Sequence, residues 1–181
     1  MAANYMRLLF GPTAERLQSE DGSRHSYGRM IERREEDIDR LTARELNFIA
    51  ERDSFYIATV TEDLWPYVQH RGGPAGFLRP LGGNRLGFAD FGGNRQHISA
   101  ANIADRNRAA LFLMDYPGRR RLKLIGEARW QTADTTDPLW DGLVDTDYPA
   151  EVQRFFLLDV LGFDWNCPQH ITPRYEAAEG R

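Results

Sequence analysis

A chain of 181 residues is long enough to bury one core without disulfides or a structural metal, and 41% apolar with 28% charged residues excludes the disordered and collagenous classes. A formal charge of -4 offers no bulk attraction to nucleic acid, so an anion must be met by locally placed arginines. No apolar run reaches the roughly 18 to 20 residues of a membrane helix, Cys167 has no cysteine to pair with, and the opening MAANYMRLLFGP lacks the features of a leader, so a protein of a reducing cytoplasm is expected.

Residues 1–31 mix Gly, Ser, Arg and Thr without a period and read as an arm. With the charged run 32–40 behind it, this extension covers 1–41, and the domain covers 42–181. In LTARELNFIAERD, Thr42 and Glu45 form a capping box ahead of Leu46, Ile49 and Ala50, predicting a helix over about 43–52. SFYIATVT is rich in β-branched and aromatic residues and predicts a strand that turns at EDLWP and returns over 67–71. Gly72, Gly73 and Pro74 interrupt the return, and a hairpin follows around Gly82, Gly83 and Asn84. Ile98, Ala101 and Ile103 suit a short helix, AALFLMD and RRLKLIGEARWQ two strands about Tyr116-Pro117-Gly118, and 137–144 another helix. VQRFFLLDVLGFDW reads as a last long strand, followed by an irregular tail containing Pro168 and Pro173. About six strands joined by short turns predict a mainly β fold, an antiparallel barrel with short flanking helices.

Four segments could carry chemistry. Gln69-His70-Arg71-Gly72-Gly73-Pro74 places basic side chains beside glycines that admit a ligand to the backbone, or is a bulged strand with exposed polar residues. Asp90-Phe91-Gly92-Gly93-Asn94-Arg95 ends a strand and opens a helix, where free amides, the helix dipole and a guanidinium suit a phosphate; the plainer alternative makes Asn94 an N-cap and leaves Arg95 solvated. Arg119-Arg120-Arg121 at the start of a strand reads as a solvated edge that discourages sheet aggregation, and a functional role for it needs support from elsewhere. The stretch 164–174 combines Trp165, Asn166, Gln169, His170 and Arg174 in a proline-rich segment, the composition of a pinned tail or of a contact to a planar polar ligand. His25, His70, His97 and His170 lack metal-ligand spacing, and no G-x-S-x-G elbow is present, which sets aside metal and serine hydrolase chemistry.

In their order, FYIATVTEDLWPYVQHRGGPAGFL, RLGFADFGGNRQHISAANIADRNRAALFLMD and RRLKLIGEAR resemble the FMN-binding split barrel of the pyridoxamine 5'-phosphate oxidase-related proteins, over roughly 44–174. The resemblance implies a six-stranded Greek-key split barrel that binds FMN between two subunits of a homodimer and acts on a small-molecule redox substrate. It implies flavin contacts from His70, Arg71, Gly72, Gly93, Asn94, Arg95, Ser99, Asn102 and Arg121, with Arg71 and Arg95 on the phosphate. It further implies that Trp165, Asn166, Gln169, His170 and Arg174 approach the ring from the other subunit, with His170 the candidate catalytic group. The oxidases themselves carry R-x-V-L-L-K and S-R-K where this chain has HRGGPAGF and GNR. An FMN-dependent oxidoreductase is the leading expectation. A carrier or sensor module without a substrate, or the same barrel holding haem or a deazaflavin, is the alternative.

Overall fold

The computed structural model describes residues 3–32 and 38–175. Part of the charged run, 33–37, and the chain end 176–181 lie outside the described residues. Seven strands form a single antiparallel sheet: β1 (Ser54–Val60), β2 (Pro66–Gly72), β3 (Arg79–Pro80), β4 (Arg85–Phe91), β5 (Arg108–Asp115), β6 (Arg120–Thr132) and β7 (Val152–Trp165). Their order is β2-β1-β5-β6-β7-β4-β3. The architecture is the expected split barrel, with two corrections. Pro80 ends a separate two-residue strand, which makes seven rather than six, and the sheet does not close, because β2 and β4 meet through side chains rather than through a backbone ladder.

Strict alternation builds the core. On β5 every second residue from Ala109 is buried, and on β1 Phe55, Ile57 and Thr59 point inward while Tyr56 remains exposed. Phe88 lies between Phe156, stacked at 5.1 Å, and Phe55, edge-on at 5.2 Å, joining the two halves of the sheet. A smaller cluster of Leu143, Phe155 and Leu157 is covered by the short helix α6 (Leu139–Leu143).

The stretch 1–31 that shows no period forms three short helices, α1 (Ala3–Leu9), α2 (Pro12–Glu20) and α3 (Arg24–Glu32). Helix α1 docks because of a bulge. Between Ile125 and Gly126 the β6/β7 register skips Leu161, whose carbonyl leaves the ladder and accepts from Asn4 Nδ2 at 2.6 Å and from the Asp39 amide at 3.1 Å. The Asp39 carboxylate in turn accepts from the first-turn amides of Asn4 and Tyr5, a negative charge at the positive end of the helix. Gly162 is required here, since a Cβ would stand 2.7 Å from the Tyr5 backbone.

Asn84 ties the hairpin turn to this corner. Its amide donates to the carbonyls of Asp39 and Val160, and its oxygen accepts from Leu41. The word GGNR therefore serves a structural joint at 82–85, whereas at 92–95 it borders a cleft.

Helix α4 (Ala43–Ala50) has the predicted capping box: the Thr42 hydroxyl accepts from the Arg44 amide at 3.3 Å, and Glu45 accepts from the Thr42 amide at 3.0 Å. Glu45 also accepts from the Trp165 indole at 2.7 Å, fixing the end of β7 to α4. Burial raises the Glu45 carboxyl, but hydrogen bonds from the Thr42 hydroxyl, the Trp165 indole and the backbone prevail and hold it below the usual carboxylate range. A carboxyl depressed in the folded state stabilises above its unfolded pKa of about 4.3, and that contribution disappears as pH falls through the lower folded value. Acid titration followed by tryptophan fluorescence is expected to show this acid-side loss in the wild type and a flatter curve in Glu45→Gln; identical curves would exclude the linkage.

Candidate functional site

The cleft lies where the sheet stays open. β2 is an edge strand whose inward residues Tyr67, Gln69 and Arg71 face the end of β4 and the start of α5 (Ile98–Arg106). These elements enclose a space of about 190 Å³, also lined by Asp90, Gly93, Asn94, Arg95, His97, Ser99 and Arg154.

Side chains bridge the opening. Arg71 Nη1 on β2 binds the buried Asp90 carboxylate on β4, and Arg154 Nη1 on β7 reaches the same carboxylate at 3.2 Å. Arg154 Nη2 donates to His97 Nδ1 at 2.9 Å, and because a guanidinium has no acceptor, His97 must carry its proton on Nε2. Ser99 donates to Gln69 at 2.7 Å, and Asn102 to Thr59 at 2.9 Å, so the polar face of α5 is spent on β2 and β1.

Three guanidiniums and one carboxylate line the cleft, leaving two formal positive charges. Arg71 Nε is buried without a partner, and the Arg95 guanidinium, at the mouth, makes no hydrogen bond or ion pair among the described residues. His97 stands at the N-cap of α5, but its side chain is turned to Arg154 and accepts nothing from the helix, so the first amides lack a side-chain acceptor. Arg95 and His97 both take the left-handed backbone, at φ 59° and 55°, a strained conformation typical of ligand-holding loops. A Cβ at Gly93 would meet nothing within 4 Å, so the loop opens onto free space there. Cationic donors, an orphaned buried N–H and unsatisfied helix amides are the donor set of an anion site.

Of the residues singled out in the sequence, Arg71, Gly93, Asn94, Arg95 and Ser99 meet in this cleft. His70 and Gly72 lie on the opposite face of β2, His70 edge-on to Tyr56 at 5.6 Å, because neighbouring strand residues point to opposite sides. Asn102 is buried behind Ser99 and does not line the cleft. Nor is Asn94 the N-cap: α5 starts at Ile98, and Asn94 accepts from the Gln96 amide at 3.2 Å to shape the loop.

Arg121 and the tail occupy the far end of the sheet. Arg121 donates to the Cys167 carbonyl at 3.4 Å, Trp165 packs edge-on against Phe48 at 4.8 Å, and Arg174 lies 4.8 Å from the Tyr116 ring centre. Asn166 donates its amide to the Arg121 carbonyl, while Gln169 and His170 are exposed. From Arg154 to Trp165 the strand advances eleven residues, roughly 36 Å at ~3.3 Å each, so the tail does not join the cleft of its own chain.

Arg154 belongs to the cleft without having been picked out from the sequence, and Asp90 and His97, named there, were given no binding role. Asp90 and Arg154 are cross-strand partners of β4 and β7, a pairing that depends on register. The available signal was a lone charge in each of two mostly apolar stretches, LGFAD and VQRFFLL, which calls for a partner of opposite sign.

The fold is that of the split-barrel proteins related to pyridoxamine 5'-phosphate oxidase. A candidate pyridoxamine 5'-phosphate oxidase of Lactobacillus delbrueckii superposes with a TM-score of 0.52 at 21% identity, covering 69% of this chain and 93% of that one. The HupZ protein of Group A Streptococcus superposes with a TM-score of 0.52 at 12% identity, covering 75% and 100%. No protein-family model and no curated protein matches the sequence.

Proposed function

We propose that the protein binds FMN, with its phosphate in the cleft between β2, β4 and α5, and works as an oxidoreductase. The observation that carries this reading is the Arg71–Asp90–Arg154 cluster with the uncommitted Arg95 at the mouth of the split, in a fold whose similar structures include a candidate pyridoxamine 5'-phosphate oxidase. When bound, FMN supplies a ring that takes or gives a hydride or single electrons. The chain's own residues bind and orient. Arg71 and Arg154, held by Asp90, present their remaining N–H groups; Arg95 closes over the phosphate; and the first amides of α5 point to it. Ser99, through its hydrogen bond to Gln69, sets the distance between α5 and β2.

A second copy completes the site. The tail stands at the wrong end of its own sheet, and the outer face of β1, β2 and β5 exposes Tyr56 and Val68 beside grooves of about 360 and 350 Å³, one of them edged by Leu8 and Leu9 of α1. A two-fold dimer through this face covers those side chains and brings Asn166, Gln169, His170 and Arg174 toward the partner's flavin. Trp165, committed to Glu45 and Phe48, then serves as the anchor of the tail. An exposed Cys167 without a disulfide partner suits a cytoplasmic setting.

Visible absorbance after gel filtration with FMN or with riboflavin tests the reading. Retained flavin bands with FMN and none with riboflavin support a phosphate-anchored cofactor. Loss of both means that the cleft takes a different anion. Turnover of NADH or NADPH by the loaded protein separates an enzyme from a carrier, and light scattering that finds only monomers removes the shared site.

A further inference from the structure

The cleft does not end at the phosphate site. On its outer side, Arg95, His97, Gln153 and Arg154 continue into a shallower groove of about 430 Å³ that adds Trp130 and Thr132. Trp130 is 36% exposed. Its ring is nevertheless fixed, because the indole N–H donates to the Ala100 carbonyl of α5 at 2.8 Å and the Arg154 guanidinium lies 5.4 Å from the ring centre. A rigid, part-exposed indole beside cations is a stacking platform for an aromatic base. Arg71, Arg154 and Arg95 line the two spaces between them: Arg71 only the inner, Arg154 and Arg95 both. This suits two linked phosphates rather than one.

From this geometry we infer that the site also accepts the larger flavin FAD, whose FMN half keeps the phosphate position proposed above, with the pyrophosphate along Arg71, Arg154 and Arg95 and the adenine against Trp130. The inference rests on the flavin reading above and extends it outward from the phosphate. Every group it uses is placed by the fold for other reasons: Arg154 by Asp90 and His97, Trp130 by α5, and Arg95 by the left-handed loop.

Isothermal titration of the full chain with FMN and with FAD tests it. FAD is expected to bind about tenfold more tightly than FMN, in line with one added base stack. Trp130→Ala is expected to remove that advantage while leaving FMN affinity within about twofold. Because Trp130 also touches α5, a second variant is needed: Thr132→Glu, at an exposed position, places a carboxylate in the outer groove and is expected to weaken FAD selectively. FAD binding no tighter than FMN, or equal losses of both flavins in both variants, overturns the inference and leaves the FMN site standing. Binding of neither flavin to the wild type overturns the flavin reading itself.

Discussion

Asp90→Ala is expected to lower the stability of the protein by about 3 kcal/mol, a fall in Tm of roughly 6 to 12 °C for a chain of this size. The carboxylate is 6% exposed and faces two guanidiniums that are themselves mostly covered, at 17% and 18%. Removing it leaves two like charges side by side in the mouth of the split, and the bridge that joins the edge strand β2 to β4 is lost. Thermal denaturation measures the effect, and inorganic phosphate provides the control. An anion that enters the cleft replaces the missing carboxylate, so phosphate is expected to raise the Tm of the variant more than that of the wild type. A loss below ~1 kcal/mol would mean that water already neutralises the pair.

Arg95→Ala is expected to act in the opposite way, on binding and not on stability. Arg95 has no protein partner among the described residues, so the folded chain loses nothing by its removal and stability is expected to stay within about 0.5 kcal/mol. A charge-assisted hydrogen bond to phosphate is worth about 1.5 to 3 kcal/mol, so FMN affinity is expected to fall by roughly 10- to 150-fold. Fluorescence titration of FMN against wild type and variant reads this directly, and riboflavin is the control because it lacks the phosphate. An unchanged FMN affinity would place the phosphate deeper, on Arg71 and Arg154 alone. The two variants together separate the groups that build the cleft from the group that waits for the ligand.

The contrast between neighbouring residues shows why some of the site was readable and some was not. Arg71 and His70 are adjacent and both basic, yet only Arg71 lines the cleft, since strand geometry sends them to opposite faces and which face turns inward depends on the rest of the sheet. The Gly-Gly-Asn-Arg loop was legible because glycines and an arginine before an amphipathic helix have a local meaning. Its length was not: the helix begins at Ile98, and the three residues after Asn94 take up the loop geometry that carries His97 to Arg154.

Local patterns were enough for the longer strands, for the capping box at Thr42 and for the turns at 82–84 and 116–118, because alternation, caps and turn residues act over a few positions and need no partner. The helices of 1–31 escaped that reading: α2 and α3 bury none of their residues, so they lack the apolar stripe that makes a helix visible. Three things were decided only in three dimensions, since each joins residues far apart in the chain through register or packing. The barrel is left open, with an ion pair across the gap between residues 71 and 90. The carboxylate of that pair also holds Arg154, 64 residues away. The tail is pinned by Trp165 to Glu45 at the end of the sheet remote from the cleft, so the cleft and the tail of one chain stay apart.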